Sequence, residues 1–228
     1  MLTHGNRSIT QKVAIWLGVS GILGSLVLFA GDMLFYYNGE QTDLLANMAN
    51  ASSERIIASG ICALIAAWLY TLASGQIYYG FQPEKAWVRW VVFLTFGMIM
   101  IAYGVVHSGY VAIATSAKNA VEMGVAPAEL TGLAIAANQA LRKIVYVPFG
   151  VFTIVFIPSV WMKRTHYPRW MIFFSPIVPF LLEGVIVGHL EGKIRVIIGG
   201  GYLNLILLLF FVSSTAALCG SRTYQKEA

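Results

Sequence analysis

GSLVLFAGDMLFYY, residues 24–37, holds an aspartate, Asp32, inside an apolar run, and SPIVPFLLEGVIVG, residues 175–188, holds a glutamate, Glu183, inside another. Both stretches sit in segments long enough to cross a bilayer, where an ionised carboxylate costs about 3 kcal/mol even on lenient insertion scales. Residues of this kind usually face the interior of a helix bundle and mark a functional site. The rest of the chain agrees with that fold class. Apolar residues make up 58% of the 228 and charged residues only 11%, against about 25% charged in soluble domains. Mean hydropathy is +0.72.

The expected fold is all-α: a polytopic membrane protein forming one domain over residues 1–228, a six-transmembrane-helix bundle. The six spans are Val13–Tyr37, Ile56–Phe81, Val88–Tyr110, Ile144–Met162, Trp170–His189 and Ile194–Cys219. At roughly 20 residues per crossing, no length remains for a soluble domain. The first span follows the polar, basic MLTHGNRSITQK and is too long for the core of a signal peptide, so it reads as a retained helix. Two connections are long. Asn38–Arg55 is polar and carries Glu40, Asp43 and Glu54. Val111–Lys143 reads as an amphipathic segment on the outer side, with Pro127 and Glu129 suited to a helix start. A helix from about Ala128 would run on into the fourth span.

Counting lysine and arginine orients the chain. With the N-terminus inside, Arg7, Lys12, Lys85, Arg89, Lys163, Arg164, Arg169, Arg222 and Lys226 are inner, and Arg55, Lys118, Arg142, Lys143, Lys193 and Arg195 are outer. Both termini are therefore expected in the cytoplasm, with Trp87, Trp90, Trp161 and Trp170 as inner interfacial anchors. The net charge of +5 reads as flanking charge. No stretch is basic enough to grip nucleic acid, so membrane lipids are the expected surroundings.

On this topology the polar groups gather in one leaflet. Asp32 and Tyr36 share a side of the first span, continuous with Gly18, Gly21 and Ser25. Tyr103, His107 and Tyr110 form a stripe on the third span. Pro176, Pro179 and Glu183 share a face of the fifth, where each proline frees a carbonyl four residues earlier, at Ile172 and Ser175. Arg142 and Asn204 enter from the outside on the fourth and sixth spans. Together these residues predict a polar cavity in the outer half of the bundle, binding a small or amphipathic ligand and possessing the parts for its transport. Asp32, His107 and Glu183 are its principal residues, with Tyr36, Tyr103, Tyr110, Arg142 and Asn204 in support.

Three alternatives use the same groups. In the first, Asp32 or Glu183 pairs with Arg142 or Lys143 in a purely structural network. In the second, Asp32, His107 and Glu183 bind a metal or act as acid and base in a membrane-embedded hydrolase, although no HExxH or HxxxH spacing is present. In the third, His107 and His189 supply the two axial ligands of a b-type haem. No residue pattern identifies a cofactor. His4 and His166 lie in terminal or loop sequence and carry no assigned role.

Two stretches, GDMLFYY at Gly31–Tyr37 and GGGYLNLILLLFFVSST at Gly199–Thr215, resemble a family of uncharacterised bacterial multi-pass inner-membrane proteins, a domain of unknown function. The resemblance implies a bacterial cytoplasmic membrane. It implies no reaction and assigns no catalytic residue.

Overall fold

The computed structural model describes residues 9–38 and 43–224, with side chains as far as Gly220. Of the residues considered above, His4, Arg7, Glu40, Arg222 and Lys226 lie outside the described residues or side chains. Helix α1 (Gln11–Tyr36) starts at Thr10, whose hydroxyl accepts from the Val13 N–H at 3.4 Å. Its C-terminal carbonyls at Met33 and Tyr37 are taken by the Arg55 guanidinium at 3.2 and 2.8 Å. A cation at a helix C-terminus also opposes the negative end of the dipole.

The Asn38–Arg55 connection contains a short helix, α2 (Leu44–Asn50), capped by Asp43 accepting from the Ala46 N–H at 2.7 Å. Asn47 donates to the Tyr36 carbonyl at 2.7 Å and ties α2 to the end of α1. Helix α3 (Ser53–Gly80), capped by Ser52, returns along α1. Helix α4 (Ala86–Glu122) and helix α5 (Pro127–Trp161) then form a long antiparallel pair.

With 37 residues, α4 is roughly 55 Å long, well beyond the ~30 Å of bilayer hydrocarbon. The segment Val111–Lys143 is therefore not a separate surface element. It forms the distal halves of two continuous helices, with Pro127 at the start of α5 and Glu129 accepting from the Ala126 N–H at 3.4 Å.

A second departure concerns the last two expected spans. Among the described residues five helices are long and apolar enough to cross a membrane: α1, α3, α4, α5 and Tyr202–Gly220 of α8 (Tyr202–Tyr224). Trp170–His189 is not one helix. It is a 3-10 turn (Arg169–Phe174), an extended Ser175, and a 12-residue helix α6 (Ile177–Gly188). Proline at 176 cannot donate the bond that would continue the turn. The carbonyls expected to be left spare are occupied: Ile172 accepts from the Ser175 N–H at 3.1 Å and Ser175 from the Val178 N–H at 3.0 Å. The sixth expected span is likewise divided, into α7 (Gly192–Gly200) and α8, at the glycine triplet.

This broken stretch still travels the length of the bundle. At its start Tyr167 packs over Gly80, at the end of α3, and its hydroxyl donates to the Gln76 carbonyl at 3.4 Å. At its finish α7 delivers Gly200 against the Tyr36 ring, at the opposite end of α1.

The core is unevenly distributed. Toward the Gly80 end, Phe81, Phe96, Phe152, Phe156, Phe210 and Phe211 are all at most 1% exposed and interlock ring to ring. Centroid distances are 5.4 Å for Phe96–Phe152, 5.8 Å for Phe96–Phe210 and 5.1 Å for Phe152–Phe156. Small residues in α1 make this possible: a Cβ on Gly21 would stand 2.5 Å from the Phe211 ring. Toward the Tyr36 end the packing opens into a cavity. No residue of α6 is buried.

Candidate functional site

The cavity has a volume of about 290 Å³ and is walled by α1, α4, α5, α6 and the α7–α8 junction. On α4 its lining runs from Phe96 to Tyr110, a rise of roughly 21 Å. The lining changes character along that depth. Phe96, Met100, Phe149, Phe152 and Leu207 make an apolar inner portion, and Asp32, His107, Tyr110, Arg142, Glu183 and Asn204 bring polarity to the other. The Phe96–Phe152–Phe210 layer closes the inner end.

All eight residues singled out from the sequence line this one cavity: Asp32, His107, Glu183, Tyr36, Tyr103, Tyr110, Arg142 and Asn204. Their mutual contacts differ from the simple expectation of acid against base. Asp32 does not meet Arg142 or Lys143. Its Oδ1 is 3.3 Å from His107 Nδ1, and its Oδ2 accepts from Asn204 Nδ2 at 2.6 Å. The other imidazole nitrogen, Nε2, is 2.8 Å from Ser59 Oγ on α3. With Nδ1 protonated and donating to the carboxylate, the serine hydroxyl donates to Nε2, so both imidazole nitrogens are matched.

Four helices are thus joined through one buried chain, Asn204–Asp32–His107–Ser59, with exposures of 4%, 6%, 4% and 0%. Local sequence explains the closeness. Gly31 leaves room beside Cys62 and the His107 ring, because a Cβ there would lie 2.9 Å from the Cys62 Cβ.

The order carboxylate–imidazole–hydroxyl is the one that activates a nucleophile in acyl transfer. Here the hydroxyl is fully buried and does not line the cavity, so a substrate in the cavity has no access to it. The chain ties α8, α1, α4 and α3 together. Among the described residues no three of His, Cys, Asp or Glu come together as a metal site, and Asp32 and His107 direct their donor atoms at each other. Both His107 nitrogens are engaged, whereas His189 is exposed, lies outside the cavity lining and contacts the Val185 carbonyl at 2.6 Å.

The remaining charges are differently placed. Arg142 is partly buried and donates to the Tyr110 hydroxyl at 3.0 Å, while the Tyr110 ring stands edge-on to Tyr36 with centroids 6.0 Å apart. Glu183 is half-buried on α6 and makes no hydrogen bond or ion pair among the described residues. The Tyr103 hydroxyl donates to the Leu203 carbonyl on α8 at 3.4 Å.

Beyond Tyr36, Tyr110 and Arg142 a second hollow of about 240 Å³ opens under α2, lined by Met48, Ile113 and Asn138 among others. Tyr36, Leu44, Tyr110 and Arg142 line both spaces and form the threshold between them. On the other flank α5 and α6 touch through Phe180, whose ring is 5.9 Å from Tyr146 and 5.5 Å from Phe149. Ser59 and the aromatic floor had no signal in the sequence. A serine in an apolar helix and phenylalanines in a membrane span are both commonplace.

The family described as "Family of unknown function (DUF6796)" matches residues 11–220, so the chain belongs to that family. No curated protein and no solved structure matches it.

Proposed function

We propose that this multi-pass membrane protein holds a small amphipathic molecule in the cavity of its outer half. The observation that carries the proposal is the polarity gradient of the lining: charged and hydroxyl groups at one end, phenyl rings and aliphatic chains at the other, with a sealed floor beneath. A head group would sit among Asp32, His107, Arg142, Glu183, Asn204 and the tyrosines Tyr36, Tyr103 and Tyr110, and a tail would descend toward Phe96 and Phe152.

The full topology belongs to the same proposal. The chain crosses a bacterial cytoplasmic membrane six times, once through the broken segment, and keeps both termini in the cytoplasm. Support comes from the path of residues 167–200 between opposite ends of the bundle. Further support comes from the exposed Trp87, Trp90, Trp161 and Trp170 at the closed end. There the Arg169 guanidinium lies over the Trp161 ring at 5.2 Å, the pairing of aromatic and basic residues expected at an inner interface.

Binding is favoured over passage because transport would require the interlocked phenyl layer to part. The test is mass spectrometry of protein purified in mild detergent, comparing the wild type with Arg142→Gln and Glu183→Gln. A co-purifying amphiphile whose occupancy falls in the variants is the expected result. Equal occupancy in all three, or no bound species together with no uptake of added amphiphiles, overturns the proposal.

A further inference from the structure

We infer that the molecule held in this cavity is a single-tailed zwitterion, its anionic group taken by Arg142 with the Tyr110 hydroxyl and its ammonium group by Glu183. The inference rests on the cavity being a binding site, as proposed above, and specifies what it binds. Apart from the tyrosines, four ionisable groups line the space, and they divide into two kinds. Asp32 and His107 are matched to each other and to Asn204 and Ser59. Arg142 and Glu183 are not matched by protein: the arginine has only a neutral hydroxyl partner, and the glutamate has none among the described residues.

Charges in a membrane-embedded, largely apolar space are retained only with a counter-charge, water or a ligand to compensate them. Arg142 and Glu183 stand on neighbouring walls, α5 and α6, and form no ion pair with each other. A molecule carrying one charge of each sign satisfies both at once. A simple anion or a simple cation leaves one of them facing it with the wrong partner.

Shape sets the tail. A volume of about 290 Å³ drawn out over a rise of roughly 21 Å is at the small end of ligand pockets and suits one chain. The same geometry gives the route: α6 has no buried residue and meets α5 through the Phe180 ring, so an amphiphile dissolved in the bilayer can slide in from the side with its head held level.

The experiment measures binding of single-chain amphiphiles of equal tail length to the purified full-length protein in nanodiscs. The probes are lysophosphatidylethanolamine (zwitterionic), lysophosphatidylglycerol (anionic), an alkylamine (cationic) and a monoacylglycerol (neutral). The zwitterion should bind roughly tenfold or more tightly than any of the other three, the scale of one charge-assisted contact. Arg142→Gln should abolish its advantage over the alkylamine, and Arg142→Lys should keep it. Glu183→Gln should abolish its advantage over the anionic lipid.

Equal affinity for all four probes in the wild type overturns the zwitterion assignment and leaves an amphiphile site whose charges are met by water. Failure of every probe to bind overturns the cavity reading as well. Neither outcome depends on the variants folding, because both are read on the wild type.

Discussion

Replacing Ser59 by alanine separates a brace from a catalytic group. The substitution removes one oxygen, 2.8 Å from His107 Nε2, at a position with no exposure. The alanine fills nearly the same volume, so the cost is that of a buried imidazole nitrogen left without its donor. An unmatched buried polar atom costs about 1–3 kcal/mol, which for a chain of this size lowers Tm by roughly 2–12 °C. A control at Ser108, whose hydroxyl bonds only its own helix at the Gly104 carbonyl on an exposed face, should stay within about 0.5 kcal/mol of wild type. Thermal unfolding in detergent, followed by loss of the monodisperse chromatographic peak, reads both. Ser59 lies outside the cavity lining, so amphiphile affinity at low temperature should be nearly unchanged. A Ser59→Ala protein as stable as the Ser108→Ala control would refute the argument that the Asn204–Asp32–His107–Ser59 chain holds the four helices in place.

Gly21→Ala should destabilise by about 1–3 kcal/mol, because the new methyl meets the fully buried Phe211 ring at 2.5 Å; an unchanged unfolding midpoint would show that α1 and α8 are not in the contact described. His166, in the loop after α5, is half-buried with its ring stacked on Tyr79 at 4.9 Å, and burial holds its imidazole below the usual histidine pKa. The neutral ring is therefore the one the fold prefers. Its contribution is whole above the unfolded pKa of about 6.5 and is lost as pH falls through the lowered folded value. Relative to the wild type, His166→Phe should thus gain stability between pH 7.5 and 5, and parallel stability curves over that range would count against the assignment.

The membrane class, the helical content and the membership of one polar cluster were all legible in the residues, because each rests on a local property. Asp32 and Glu183 were conspicuous as carboxylates in apolar runs, and the i−4 and i+3 spacing of Tyr103 and Tyr110 about His107 put three polar groups on one face. What could not be read was pairing between helices. Asp32 was expected against Arg142 or Lys143, and the partner it takes, His107, depends on the rotation of α4 against α1 and on the gap left by Gly31. Ser59 was invisible for the same reason: nothing in SERIIASGICALIAAW separates it from a packing serine. The division of the last two spans was signalled by Pro176, Pro179 and the triplet Gly199–Gly201, but hydropathy alone averages over such breaks. The extent of α4 and α5 was obscured because their distal halves are Ala-rich and only mildly polar, so neither end coincides with a change in hydropathy.

The phenyl layer has an electrical consequence. A bundle hollow on one side and solid on the other does not drop the membrane potential evenly along its length. Most of the voltage falls across the dry, ring-packed half, where moving one unit charge through the full field costs about 2.3 kcal/mol per 100 mV. A charged head group entering from the open side stops short of that layer and crosses little of the field. The occupancy proposed for this cavity should therefore barely respond when the membrane is energised.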